Sequence, residues 1–201
     1  MKRLFDVLVA ATGLVVWAPI AALIAAAIRL DDGGPVFFTQ SRVGQGGRVF
    51  TAYKFRSMVP DAERATGPVQ AAVRDPRVTR VGRVLRATAL DELPQLWNIL
   101  RGDMSVVGPR PLRPGESDTT ADGRVLTLDT IPGYVERHAI RPGLTGLTQV
   151  FAPRDLPRTA KFRYDLIYRR RQSLRLDLYL IAASFWITLR GRWEEEHRPR
   201  R

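Results

Sequence analysis

Cysteine is absent from the chain, which excludes a disulfide framework and thiolate chemistry. Histidine is scarce: His138 and His197 stand far apart, so neither a zinc centre nor a histidine relay is expected. Any metal would be hard and oxygen-liganded, with Mg²⁺ the candidate. Gly44-Gln45-Gly46-Gly47 lacks the Gly-Lys-Ser/Thr ending of a nucleotide loop, and no helical pattern follows it. There is no internal repeat, no sign of a second domain and no recognised nucleic-acid motif. Acidic residues are outnumbered, 20 Asp+Glu against 32 Lys+Arg, which leaves a net charge of +12. Such a balance seeks phosphate, whether on nucleic acid, on anionic lipid headgroups or on a phosphorylated substrate. A length of 201 residues suffices for one modest domain with its own core.

Charge is missing altogether from Val7 to Ile28. About 22 residues at about 1.5 Å each give about 33 Å, just enough to cross a hydrocarbon core of about 30 Å. A secretory signal is disfavoured, because its apolar run is only about 7–15 residues. A straight span and a re-entrant hairpin remain. Pro19 removes the bond to the carbonyl of Val15 and makes a bend there reasonable. Lys2 and Arg3 precede the segment and Arg29 follows it. The positive-inside rule favours both ends in the cytoplasm, which a hairpin permits. Proline also occurs in true spans, so the residues alone leave both readings open. Asp6 is placed to pair with Lys2 or Arg3.

Gly33-Gly34-Pro35 ends this element as a turn. Val36–Gln40 and Arg48–Arg56 read as strands joined by a hairpin turn at Gly44–Gly47. Alternation puts Val49, Thr51, Tyr53 and Phe55 on one face, with Lys54 and Arg56 on the other as phosphate contacts or as a solvated polar face. Asp61–Ala72 reads as a short helix or loop, and Glu116–Arg124 as a polar loop. Val81, Val84 and Leu85 suit a short amphipathic helix with Arg83 and Arg86 off its apolar side.

The central stretch is Arg86–Asn98. Asp91 and Glu92 open a predicted helix with an apolar side of Leu93, Leu96, Trp97 and Leu100. Thr88 is the predicted cap, and Pro94 loosens the turn that carries the carboxylates. Arg101-Gly102 fits its C-terminus. Acids in a first turn are ordinary, but basic Pro/Gly turns surround these two. In Gly108-Pro109-Arg110-Pro111 the prolines stiffen the backbone that presents Arg110, and guanidinium matches phosphate bidentately. Arg141-Pro142-Gly143-Leu144-Thr145-Gly146 is a second such turn. Further on, Phe162, Leu166 and Ile167 alternate with arginines. Leu174–Leu189 is then strongly apolar, bordered by Arg175 and Arg190, and suits an interfacial or buried helix. Trp193–Arg201 is charged and expected to fray.

These residues resemble the bacterial sugar transferase family, the monotopic polyprenyl-phosphate phosphoglycosyl transferases. The likeness runs from Lys2-Arg3-Leu4-Phe5-Asp6 through Gly34–Gly44 and Tyr53-Lys54-Phe55-Arg56-Ser57-Met58. It continues through Leu90–Asn98, Gly102–Pro111 and Arg141–Gly146, and so covers most of the chain in order. It implies a helix-rich α+β fold with four parts: a re-entrant membrane helix over 1–30 that bends at Pro19, a small β-hairpin, a catalytic helix and interfacial amphipathic helices. Residues 31–201 would form a catalytic domain on the cytoplasmic face of the inner membrane, in the short form of the family. It also implies a catalytic dyad at Asp91 and Glu92, and Mg²⁺. Two departures stand out. Ala18-Pro19 replaces the Ser-Pro of many small members, and Phe151-Ala152-Pro153-Arg154 replaces a polar Asn-Gly-Arg type stretch.

The expected reaction moves a sugar phosphate from a UDP-sugar to polyprenol (undecaprenyl) phosphate and releases UMP. Asp91 would be the nucleophile, and Glu92 a metal partner or general base. Arg86, Arg110, Arg141, Lys54 and Arg56 are the candidate phosphate contacts. Membrane lipids are expected partners, nucleic acid is not, and a homodimer stays open. The competing class is a membrane-anchored basic nucleic-acid binder or scaffold without catalysis, supported by charge alone.

Overall fold

The uncharged run Val7–Ile28 and its charged flanks fold as a single long helix. The computed structural model describes residues 1–62, 75–119, 125–153 and 156–190. The expectations for 63–72, 120–124, Arg154 and 193–201 lie outside these residues. Helix α1 covers Lys2–Asp32 and stays helical on both sides of Pro19. Gly33 stops it at φ 71°, donating its N–H to the Arg29 carbonyl, a left-handed cap that suits glycine. By length and composition α1 could cross a membrane. One side is exposed through Leu4, Leu8, Val15, Val16, Leu23 and Leu30.

The other side of α1 lies along the rest of the molecule. Ala10 is buried with Leu96, Ile99 and Met104, and Ile24 and Ile28 are buried with Phe55 and Leu85. Both ends are tied down by polar contacts. Lys2 Nζ donates to Asp177 Oδ2 at 2.8 Å, and Arg3 donates to the carbonyls of Ile99 and Leu100. Asp6 is 3.9 Å from Lys2, but its bonds come from Ser105 Oγ and the Val106 N–H. At the far end Asp31 accepts from the Val81 N–H and Asp32 pairs with Arg56.

Strands β1 (Phe37–Val43) and β2 (Val49–Phe55) form the expected antiparallel hairpin, closed by a short turn at Gln45–Gly47. Alternation left open which face turns inward. Val49 is 59% exposed while Ala52 is buried, so Gln40, Arg42, Ala52 and Lys54 form the inward face, and of the other face only Val43 and Phe55, at its two ends, are buried. The cause is Asn98. Its Oδ1 accepts from the Tyr53 N–H and its Nδ2 donates to the Thr51 carbonyl, so a side chain caps the free edge of β2 where a third strand would pair.

Helix α2 (Arg80–Ala87) is capped by Thr79. Leu85 is buried, but Val84 is 62% exposed, so the expected apolar side is narrower than predicted. Thr88 ends α2 and does not cap the following helix; its hydroxyl donates to the Val84 carbonyl at 2.8 Å. Leu90–Glu92 form a tight 3₁₀ turn entered through Ala89 at φ 54°, and helix α3 covers only Gln95–Arg101. Pro94 has no N–H to give the Leu90 carbonyl, so one continuous α-helix cannot form. The buried side of α3 is Gln95, Leu96, Asn98 and Ile99, and Trp97 is half exposed. Gly102 ends it at φ 94°, as expected.

The two Pro/Gly turns meet because β3 (Ser105–Val107) pairs in parallel with β6 (Gly143–Thr145). A Cβ on Gly143 would sit 2.0 Å from the Gly108 nitrogen, and one on Gly146 2.1 Å from the Gly108 carbonyl oxygen. Only glycine permits that approach. Strands β4 (Ser117–Thr119) and β5 (Val125–Thr127) pair in a second small hairpin, where a polar loop was expected. Helix α4 is Tyr134–Arg137 and α5 is Leu147–Phe151. Helix α6 (Arg158–Arg171) buries Phe162, Asp165 and Tyr168. Helix α7 (Leu174–Leu189) buries Asp177 and Leu180 and exposes Leu174, Leu178, Tyr179, Phe185, Trp186 and Leu189.

Candidate active site

Four elements supply one polar recess. The hairpin contributes Arg42, Ala52 and Lys54, the 3₁₀ turn Glu92, and α3 Gln95; Arg110, Pro111 and Gly143 come from the paired turns. Lys54 Nζ donates to Glu92 Oε1 at 2.5 Å, and Arg110 approaches the same oxygen at 3.5 Å. Among the described residues, no hydrogen bond or ion pair reaches the Asp91 carboxylate.

The two neighbouring acids are therefore in different electrostatic states. Burial pushes Asp91 up to about 6; Lys54 opposes this, Glu92 adds to it, and Arg86 and Arg110 oppose it. Burial also acts to raise Glu92, but Lys54, Arg110 and Arg42 outweigh it and hold that carboxyl at about 2. A pair of carboxyls driven apart in this way divides its tasks. Glu92 is a fixed anion. Asp91 is desolvated and unclamped, and mostly ionised at neutral pH, the condition of an oxygen free to attack.

Of the predicted contacts, Lys54 and Arg110 stand at this recess, and Arg86 acts on Asp91 from the last turn of α2. Arg56 does not join them. It is 6% exposed and bound through its guanidinium to Asp32 and through Nε to the Pro35 carbonyl, so it clamps the hairpin to α1. Arg141 donates from Nε to the Gly102 carbonyl and lines a separate recess with Lys2, Arg3, Asp6 and Ser105.

Three contributors carry no clear signal in the sequence. Arg42 lines the recess, with its guanidinium bonded to Gln40 and the Pro111 carbonyl; burial and nearby Arg110 and Arg113 lower it to about 10. Hairpin register would reveal it, because Gln40, Arg42 and Lys54 share one face. Gln95 lies within the motif but reads as a plain helix residue. Arg137 is 2% exposed. It pairs with Asp165 at 2.8 Å, contacts His138 Nε2 and donates to the Arg110 carbonyl at 2.7 Å. Burial, then Arg137, lowers His138 to about 4, which keeps the imidazole neutral. Arg137 thus holds the backbone of the turn that presents Arg110.

The model of the bacterial sugar transferase family matches residues 1–191. The chain belongs to the bacterial sugar transferase family. This transferase is 42% identical over 189 residues to the exopolysaccharide production protein PSS of Rhizobium leguminosarum bv. phaseoli, covering 92% of both chains. It is 43% identical over 187 residues to the undecaprenyl-phosphate glucose phosphotransferase of Komagataeibacter xylinus, covering 90% of the transferase and 34% of that relative. It is 40% identical over 195 residues to an Aeromonas hydrophila UDP-N-acetylgalactosamine-undecaprenyl-phosphate N-acetylgalactosaminephosphotransferase, covering 95% and 44%. The last two relatives are named for different sugars, and the transferase spans under half of each.

Proposed function

We propose that the chain transfers a sugar 1-phosphate from a UDP-sugar to undecaprenyl or a related polyprenol phosphate, in the assembly of an exopolysaccharide. The observation that carries this is the unclamped Asp91 next to a locked Glu92, which lines a recess walled by Arg42, Lys54 and Arg110. Asp91 attacks the sugar-bearing phosphorus. The bond from that phosphorus to the bridging oxygen breaks, and UMP leaves with that oxygen. An oxygen of the polyprenol phosphate then attacks the same phosphorus, the Asp91 oxygen–phosphorus bond breaks, and the carboxylate is restored. Lys54, Arg42 and Arg110 balance charge on the phosphoryl oxygens. A carboxyl held at about 2 is a poor proton acceptor near neutral pH, so Glu92 acts as a fixed anion rather than a general base.

The donor set suits Mg²⁺. Among the described residues no group of three metal-ligating side chains exists, and Mg²⁺ commonly uses one or two carboxylates together with substrate phosphates. Asp91 and Glu92 would hold it, and when bound it would neutralise diphosphate charge.

Residues 1–30 form the membrane anchor in this scheme, and 31–201 the catalytic domain, at the cytoplasmic face of the inner membrane. The contacts of Lys2 and Arg3 at one end of α1, and of Asp31 and Asp32 at the other, with the same globular body support a re-entrant rather than a spanning helix. The exposed Tyr179, Phe185 and Trp186 of α7 fit the bilayer interface.

The test is mass spectrometry of the detergent-solubilised chain with Mg²⁺ and a panel of UDP-sugars. A phosphosugar adduct on Asp91 is expected, with UMP release and polyprenol-dependent discharge. An adduct on another residue, or normal turnover by Asp91→Asn, would overturn the mechanism.

A further inference from the structure

Gln95 is buried, 2% exposed, and lines the recess beside Glu92. Its Nε2 has no hydrogen-bond partner. Native folds leave few such groups, because a desolvated donor without an acceptor is costly. The side chains around it do not offer a remedy. Arg42, Lys54 and Arg110 are donors only. Glu92 accepts, but neither of its carboxylate oxygens bonds Nε2, and its Oε1 already receives Lys54 and Arg110. The acceptor must come from what enters the recess. Three cations select an anion there, and the oxygens of a diphosphate are acceptors of the right kind. An amide nitrogen cannot ligate a metal ion, so the partner is an oxygen of the substrate itself.

We infer that Gln95 is a substrate-contacting residue whose Nε2 donates a hydrogen bond to a phosphoryl oxygen of the nucleoside-diphosphate sugar held between Arg42, Lys54 and Arg110. The inference rests on the proposed reaction and extends it by one residue. Gln95 would work as a neutral donor. It recognises the oxygen without adding charge beside Asp91, where another cation would weaken the nucleophile.

The experiment compares Gln95→Met and Gln95→Glu with the wild-type full chain in detergent with Mg²⁺. UDP affinity is measured by calorimetry and the thermal midpoint without ligand by scanning fluorimetry. Methionine keeps the length and removes the donor. Gln95→Met is expected to weaken UDP binding about tenfold or more while its ligand-free midpoint stays level or rises, because an unpartnered buried donor is gone. Gln95→Glu is expected to bind more weakly still. Wild-type affinity in Gln95→Met would overturn the assignment, and so would a fallen ligand-free midpoint, the mark of a structural role. Wild-type protein that neither binds UDP nor transfers from any UDP-sugar would remove the proposed reaction and this inference together. Intact wild-type binding that Gln95→Met does not change would remove the inference alone.

Discussion

Asp91 and Glu92 are adjacent yet should respond oppositely to neutralisation. Asp91 is held at about 6, above its unfolded value, so the fold loses stability as the pH rises from about 4, with the full cost present above about 6. Asp91→Asn should therefore stabilise the protein by about 1–3 kcal/mol at pH 7, with the gain fading as the pH falls through 6 toward 4. Glu92 is held at about 2, below its unfolded value. Its contribution is present above about pH 4.5 and lost as the pH falls toward 2. Glu92→Gln should cost about 1–3 kcal/mol at pH 7. Denaturant melts of both variants across pH 3–8 check this; shifts of the same sign would refute the division of roles. Turnover should also rise with pH through about 6 as Asp91 ionises. Farther from the recess, Arg137→Met leaves Asp165 buried without its cation and should cost about 3–5 kcal/mol. In Arg137→Met with Asp165→Leu, stability should return while turnover stays low, because the Arg110 carbonyl has still lost its donor. The acidic pair could be singled out because two acids sit among basic turns, and the structure brings Lys54 and Arg110 to Glu92. Arg137 was not, since nothing local distinguishes it from a surface arginine: its burial comes from α6, a distant element.

Among elements, the meeting of the two turns depends on backbone proximity. Gly143→Ala puts a methyl 2.0 Å from the Gly108 nitrogen, so β3 and β6 must separate. A loss of several °C in melting midpoint is expected, with turnover falling further than the folded fraction, since Arg110 and Gly143 both line the recess. Circular dichroism melts beside activity measurements separate the two effects. The hairpin, the Gly33 stop and the Gly102 stop were readable because turn chemistry is local. The facing of the hairpin was not. Period two gives two faces but does not say which is inward, and that choice was made by Asn98 reaching across from α3 to the edge of β2. The helix expected to open at Asp91 failed for a similar reason: spacing registered the apolar residues, while Pro94 and the left-handed Ala89 divided the stretch into a 3₁₀ turn and a short helix.

At the scale of the whole molecule, α1 acts as a beam fastened at both ends to the body it carries. A span would set those ends on opposite sides of a bilayer. The chain has no cysteine, so single cysteines can be introduced cleanly, one ahead of Lys2 and one replacing Thr39. Neither should react with a membrane-impermeant maleimide in intact cells, and both should react after permeabilisation; labelling of one end alone in intact cells would establish a span. Charge composition pointed to phosphate, and the apolar run to the bilayer. Length and hydropathy do not distinguish a span from a return, because both need the same apolar run.

The bond from Lys2 to Asp177 also constrains the order of assembly. The ribosome releases the apolar helix well before the acid that will fasten its first turn. Through most of synthesis α1 has no body to lie against, and lipid is the shelter at hand for its uncharged side chains. In the proposed membrane-anchored state, attachment to the bilayer then precedes closure of the fold, and α7 latches α1.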